Sequence, residues 1–161
     1  MWWRLKRSEF ERLKGENNKR RFRRIVESGK VPGLLAYAEG RPVAWCAVAP
    51  REDYPALERS RVLKPVDGQP VWSVTCLFVA RPFRQKGISV KLLKAAAEYA
   101  RAQGCKVVEG YPVESRKGRM PDAFAYTGLP SAFRAAGFVE VARRSPIRPI
   151  MRYVVRERSA K

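Results

Sequence analysis

The chain of 161 residues contains no histidine. That absence removes Ser-His-Asp and Cys-His nucleophile systems, His-Glu-x-x-His metalloproteases and zinc fingers built from two Cys and two His. Cysteine is scarce as well. Cys46, Cys76 and Cys105 stand far apart, with no Cys-x-x-Cys pair to seed a zinc or redox site. Apolar surroundings such as Ala44-Trp45-Cys46-Ala47-Val48 imply buried free thiols in a reducing compartment, so a cytoplasmic location is expected. No uncharged run reaches the ~18 residues of a membrane span, and charge at Arg4 comes too early for a signal peptide. A soluble protein without metal or membrane partner is the expectation.

Acidic residues are also few. Lys and Arg total 34 against 15 Asp and Glu, a net charge of +19. The excess concentrates at the ends: residues 1–30 hold eleven basic and four acidic side chains, and residues 134–161 hold eight and two. Lys19-Arg20-Arg21-Phe22-Arg23-Arg24 is the densest run. It reads either as a polyanion or nucleic-acid contact or as a solvated helix face. Phe22, Ile25 and Val26 supply an apolar stripe that leaves the arginines outward and favours the second reading. A hydrophobic content of 45% is enough for one core, so a single domain over residues 1–161 is expected.

Ser8 with Glu11 has the form of a capping box, and Phe10, Leu13, Phe22, Ile25 and Val26 then recur at helical intervals. The spacing predicts a helix over 8–28, or two shorter ones broken at Gly15 and Asn17-Asn18. Leu34–Ala38 and Val43–Val48 flank Glu39-Gly40-Arg41-Pro42 and read as a hairpin. A short helix follows Pro55 to about residue 62, then a loop over 65–70. Val71–Val79 is apolar on both faces and reads as a central, buried strand. A basic turn at 81–87 leads into an amphipathic helix from Ile88 to Gly104 carrying Leu92, Leu93, Ala96 and Ala100. Beyond it come a strand at 106–112, a polar loop at 116–122, a short helix at 130–136, and strands at 137–142 and 150–155. The fold class is α/β, a mixed sheet with helices on its faces.

Chemistry becomes legible at Arg84-Gln85-Lys86-Gly87-Ile88-Ser89, between a buried strand and a helix. A helix start offers unpaired backbone N–H groups and a positive dipole end, and a glycine removes the Cβ that would obstruct an approaching phosphate. Arg84 and Lys86 add charge at the rim, and Ser89 offers a hydroxyl. Walker loops and dinucleotide fingerprints need glycines that this segment lacks, so ATP and NAD are disfavoured.

The segment resembles the acyl-CoA motif R/Q-x-x-G-x-G/A of the GNAT N-acetyltransferase superfamily, with Arg84, Gly87 and Ser89 at the motif positions and Ser89 a departure from Gly or Ala. Cys76-Leu77-Phe78-Val79 ahead of it, the Leu92-Leu93 helix behind it, Val107-Val108-Glu109, and Phe133-x-x-x-Gly137-Phe138 extend the likeness over residues 33–155. The resemblance implies a GNAT-type acyl-CoA N-acyltransferase fold and acetyl transfer from acetyl-CoA to a primary amine acceptor, small molecule or protein, in a ternary complex. It implies that Leu77, Phe78 and Val79 pair with the pantetheine arm while Arg84, Gln85, Lys86, Gly87, Ile88 and Ser89 hold the pyrophosphate. The next strand would splay from its neighbour, and Gly110 and Pro112 weaken ladder bonding at a suitable point.

Three departures bear on mechanism. Where family members often carry a general-acid tyrosine this chain has Phe133, which has no proton to give and is read as packing beside the cofactor arm or in the core. Seven residues earlier, in place of an asparagine that contacts CoA, stands Tyr126, which reads as a cofactor-binding and catalytic candidate or as a half-buried loop tyrosine. Glu109 and Tyr111, two apart on one strand, share a face. If that face is the cleft, Glu109 can act as base; if not, it is a strand-surface carboxylate, with Glu114 and Asp122 as lesser candidates. Cys76 reads as core. Lastly, the family's first strand and helix have no counterpart ahead of residue 8. Trp2 and Trp3 would then cover a sheet edge or pack on a partner chain in a homodimer. A basic nucleic-acid-binding or CoA-sensing module without turnover is the competing reading.

Overall fold

The computed structural model describes residues 1–115 and 121–155. Residues 116–120, most of the loop expected at 116–122, lie outside the described residues, as does the side chain of Asp122.

A six-stranded mixed sheet organises the chain: β1 (Gly33–Ala38), β2 (Arg41–Pro50), β3 (Trp72–Val79), β4 (Val107–Gly110), β5 (Val139–Arg143) and β6 (Pro149–Val154), in the order β1-β2-β3-β4-β6-β5. Only β3 and β4 run parallel. They are joined by the helix α4 (Ile88–Ala102), the crossover a parallel pair requires. The periodic apolar set of α4, Leu92, Leu93, Ala96, Ala97 and Ala100, is buried against β1, β2 and β3. Phe133 and Phe138 complete that side of the core, with Phe133 on α5 (Pro130–Ala135). On the opposite face a smaller cluster forms around Tyr54, Leu57, Leu63, Tyr111 and Ile150. Leu57 lies on the short helix α3 (Pro55–Glu58).

The expected N-terminal helix is two helices, α1 (Arg7–Arg12) and α2 (Glu16–Glu27), parted at Gly15 with φ 76°. The capping box is not formed. Helix α1 starts a residue before Ser8, with Lys6 as N-cap and no side-chain cap. Buried Leu5 then takes the position before the cap and Phe10 the fourth helical position, the pair that makes a hydrophobic staple. Trp2 meets Phe10 edge-on at 5.3 Å and Trp3 packs on the Tyr54 cluster, so both tryptophans find cover within their own chain. Several basic residues of α2 have partners: Arg21 bonds Glu9, Arg23 pairs with Glu27, and Lys19 with Glu16. Lys19, Arg20, Arg23 and Arg24 are exposed, a placement that both readings of the run share.

Two irregularities position the site. Ala47 pairs with Cys76 and Val48 with Val74, which leaves Thr75 as an extra residue in β3, a β-bulge. The bulge reverses the alternation. Val74 and Leu77 belong to the α4 core, whereas Cys76 meets the aromatic residues on the other face. Cys76 is therefore half-buried rather than core. Next, the β3–β4 ladder ends after Trp72–Val108, Ser73–Glu109 and Val74–Gly110. Pro112 has no N–H to continue it, and the Val113 amide turns away to donate to Gly128 O at 3.0 Å. The strands splay where Gly110 and Pro112 suggested.

Candidate active site

Past the last rung at Val74, β3 keeps β2 on one side and, among the described residues, has no strand on the other. That open edge forms one wall of a cavity of about 400 Å³, lined by Leu77, Phe78 and Val79. The opposing wall comes from residues 123–132, among them Tyr126, Gly128 and Leu129. One end is the entry to α4, where Arg84, Gln85, Gly87, Ile88 and Ser89 line the cavity.

The turn at that end has the shape of an anion cradle. Gln85 has φ 60° and Gly87 φ 73°, both left-handed. A Cβ on Gly87 would meet nothing within 4 Å, so the space above it is open. Helix α4 takes Gly87 as N-cap and has no side-chain cap; its first intrahelical bond runs from Lys91 N to Gly87 O. The amides of the first turn therefore face outward without an intrahelical acceptor, at the positive end of a 15-residue helix. Arg84 is tied back to the strand through Nε, which donates to Val79 O at 2.9 Å.

Of the sequence-derived cofactor contacts, Leu77, Phe78, Val79, Arg84, Gln85, Gly87, Ile88, Ser89 and Tyr126 line this one cavity. Two do not. Lys86 rests with Nζ 5.6 Å from the Phe83 ring centre. Phe133 is fully buried, edge-on to Phe138 at 5.1 Å, with its ring filling the space left by Gly110 and Gly128. It is a core residue, as one of its two readings held. Tyr126 is partly exposed, and burial raises its hydroxyl pKa against the opposing effect of Arg148.

Glu109 and Tyr111 share a face, but neither lines this cavity. They sit on the face away from α4. There the Tyr111 hydroxyl donates to Glu109 Oε2 at 2.9 Å. Arg51 Nη1 donates to the same oxygen at 3.2 Å and to Tyr111 Oη at 2.7 Å. Arg152 Nε donates to Glu109 Oε1 at 2.8 Å, and Ser73 Oγ lies 2.8 Å from Tyr111 Oη. Both carboxylate oxygens are thus engaged and the residue is 1% exposed, an arrangement that neither open-cleft nor solvent-facing placement anticipated. Burial, reinforced by the Glu109 charge, pushes the Tyr111 pKa up. Glu114 is held by Arg143 at 2.6 Å. Among the described residues no cluster of His, Cys, Asp or Glu could hold a metal ion, and no helix is long and apolar enough to cross a membrane.

Of the wall at 123–132, sequence reasoning found only Tyr126. Gly128, at φ 87°, was a further local signal. Arg51 and Arg152, whose meeting with Glu109 depends on sheet order, were missed.

The family model for the acetyltransferase (GNAT) family matches residues 1–116. The chain belongs to this GNAT family. Among solved structures, it is similar to the ribosomal-protein-alanine N-acetyltransferase of Brucella melitensis, with 19% identity, TM-score 0.55, and 86% of this chain and 77% of that one covered. It is also similar to the Salmonella typhimurium protein yncA, solved with its cofactor acetyl-CoA, with 15% identity, TM-score 0.55, and coverage of 90% and 76%. At such identities the likeness shows the fold. No curated protein matches the sequence. The GNAT fold accounts for the splayed strands and for the cavity that joins an open strand edge to a helix N-terminus.

Proposed function

We propose that this GNAT protein is an acetyl-CoA-dependent N-acetyltransferase acting on a primary amine by direct attack within a ternary complex. The observation that carries the reading is the continuity of the open β3 edge at Leu77–Val79 with the uncapped N-terminus of α4. The first-turn amides of α4, with Gln85 and Arg84 beside them, suit a diphosphate. The free backbone of β3 suits the two amides of a pantetheine arm, which would pair with it as an added strand. Acetyl-CoA, when bound so, supplies the activated acyl group.

Transfer requires a neutral amine, although an alkylamine with a pKa of ~10.4 is almost wholly protonated at pH 7. Once a proton has gone to water, the nitrogen lone pair attacks the thioester carbonyl. An N–C bond forms, the C–S bond breaks, and the nitrogen's surplus proton ends on the sulfur. Tyr126 brings to the cavity a phenol hydroxyl that remains protonated through neutral pH, its pKa being raised by burial; it passes its proton to the departing thiolate and takes the nitrogen's surplus proton in exchange. Glu109 serves as a positioning residue. With Arg51, Arg152 and Tyr111 it fixes β4 at the point where the strands part.

Calorimetric titration with acetyl-CoA tests the reading, together with thiol release over a panel of amines. Micromolar binding that is lost in Gly87→Glu is the expected result, because the new carboxylate occupies the anion's place. A wild-type protein with no affinity for acetyl-CoA would overturn it.

A further inference from the structure

On the face of β3 turned away from α4 lies a second cavity, of about 240 Å³. Its lining is aromatic: Trp2, Trp3, Phe10, Phe22, Trp45 and Tyr54. Trp2 and Phe10 meet edge-on, as do Phe22 and Trp45, which holds the rings in fixed orientations. The cavity reaches β3 at Thr75 and Cys76, the two residues that the bulge turns to this face. Tyr126 lines both this cavity and the one beside the α4 cradle. The two cavities therefore approach each other at Tyr126, the residue assigned to protonate the leaving thiolate.

The chemistry of the lining restricts the occupant. Among the described residues no carboxylate lines it, and its charged groups are the Met1 ammonium, which feels Arg4 and Cys76, and Arg4, which bonds Asp53 at 2.8 Å and lies 4.6 Å over the Tyr54 ring. A cation would thus meet a like charge and find that ring face already taken. The lining also contains an unmet polar need. Trp3 Nε1 is buried and has no hydrogen-bond partner among the described residues. A bound oxygen acceptor that draws this indole N–H into the cavity would satisfy it.

We propose that this cavity holds the acyl acceptor, a primary amine on an aromatic body that carries a hydroxyl or carbonyl oxygen. The inference rests on the acetyl-transfer reading above. Entry into an apolar, acid-free cavity disfavours the ammonium form, so the amine sheds one proton to water and arrives as the nucleophile. Desolvation takes the place of a carboxylate base. The N–C bond then forms as C–S breaks, with the second proton passing to sulfur.

Tyramine, phenylethylamine and spermidine serve as probes. Three of the four tryptophans line the cavity, so intrinsic fluorescence reads occupancy without turnover. Tyramine is expected to quench saturably and to be acetylated with the highest kcat/KM of the three. Ala47→Phe, which fills the cavity from β2, should weaken tyramine binding about tenfold or more while acetyl-CoA affinity holds. Trp3→Phe keeps an aromatic ring at the position but removes the indole N–H along with the five-membered ring; it should raise KM for tyramine more than KM for phenylethylamine. Spermidine turnover equal to or better than tyramine's overturns the proposal. So does tyramine quenching that neither variant alters. Loss of acetyl-CoA binding and of thiol release with every amine would instead strike the acetyl-transfer reading, and is told apart because the fluorescence titration needs neither.

Discussion

Replacing Gly110 by alanine tests whether the wedge between β3 and β4 is set by the Phe133 ring. A Cβ at Gly110 would stand 2.6 Å from Phe133 Cζ and 2.8 Å from Cδ1, nearer still to Cε1, where carbon atoms in contact keep ~3.5–4.0 Å. The ring has no room to retreat. It is fully buried, edge-on to Phe138, and a Cβ at Gly128 on its other side would already fall 2.7 Å from Cε2. The overlap, well over 1 Å at Cε1, must be relieved by moving backbone, which places the cost at the upper end for overpacking, about 3 kcal/mol. For a chain of this size that lowers Tm by roughly 6–12 °C. Thermal melting followed by near-UV circular dichroism reads it. Phe133→Leu introduced into Gly110→Ala should recover about half of the loss, a coupling that the double-mutant cycle isolates. A Gly110→Ala protein that melts within ~2 °C of the parent, or strictly additive effects of the two substitutions, would refute the reasoning.

Tyr126→Phe should lower kcat about a hundredfold while leaving acetyl-CoA affinity unchanged in calorimetry, since only the transferable proton is removed. Arg51→Met should cost about 3 kcal/mol in urea unfolding, because Glu109 and Tyr111 stay buried after losing a partner; Arg51→Lys, which lacks the fork, should recover only part of it. Two bonds from Arg152 and one from the Gln69 amide hold the Asp67 pKa down at about 2 from its ordinary 3.8. A depressed carboxyl pKa contributes stability above pH 3.8 that disappears as pH falls through about 2. Asp67→Asn should accordingly flatten the dependence of Tm on pH over that interval, measured by melting at successive pH values.

Much of this architecture could be read from residue order because it is local. The strand, turn and helix from Val71 to Gly104 carry their own periodicity and punctuation, and Gly110 with Pro112 marks the splay through a missing side chain and a missing N–H. The cavity wall at Leu77–Val79 and the turn at 84–89 were legible for the same reason, being near neighbours in sequence. What escaped depends on distant pairings. Glu109 was weighed between cleft and solvent, yet its surroundings are set by Arg51 and Arg152, which only the sheet order brings together. The bulge at Thr75 has no residue-type signature, since threonine suits a regular strand equally well, and without it Cys76 falls on the wrong face. The aromatic cavity joins Trp2 and Phe10 to Trp45 and Tyr54, a meeting that no local pattern encodes. Ser8 and Glu11 show the converse, a correct local pattern left unused because α1 begins at Arg7 with Lys6 as its N-cap.

The single extra residue in β3 gives that strand a tolerance that its composition conceals. Removing Thr75 would make Ala47–Cys76 and Val48–Val74 consecutive rungs, so strict alternation returns with Val74 and Leu77 still on the helix-covered side and Cys76 still on the other. A strand without a bulge has no such surplus, and there a one-codon deletion turns every side chain on one flank to the opposite face. Variation in this protein should therefore reach a shorter β3 through Thr75 with both faces preserved.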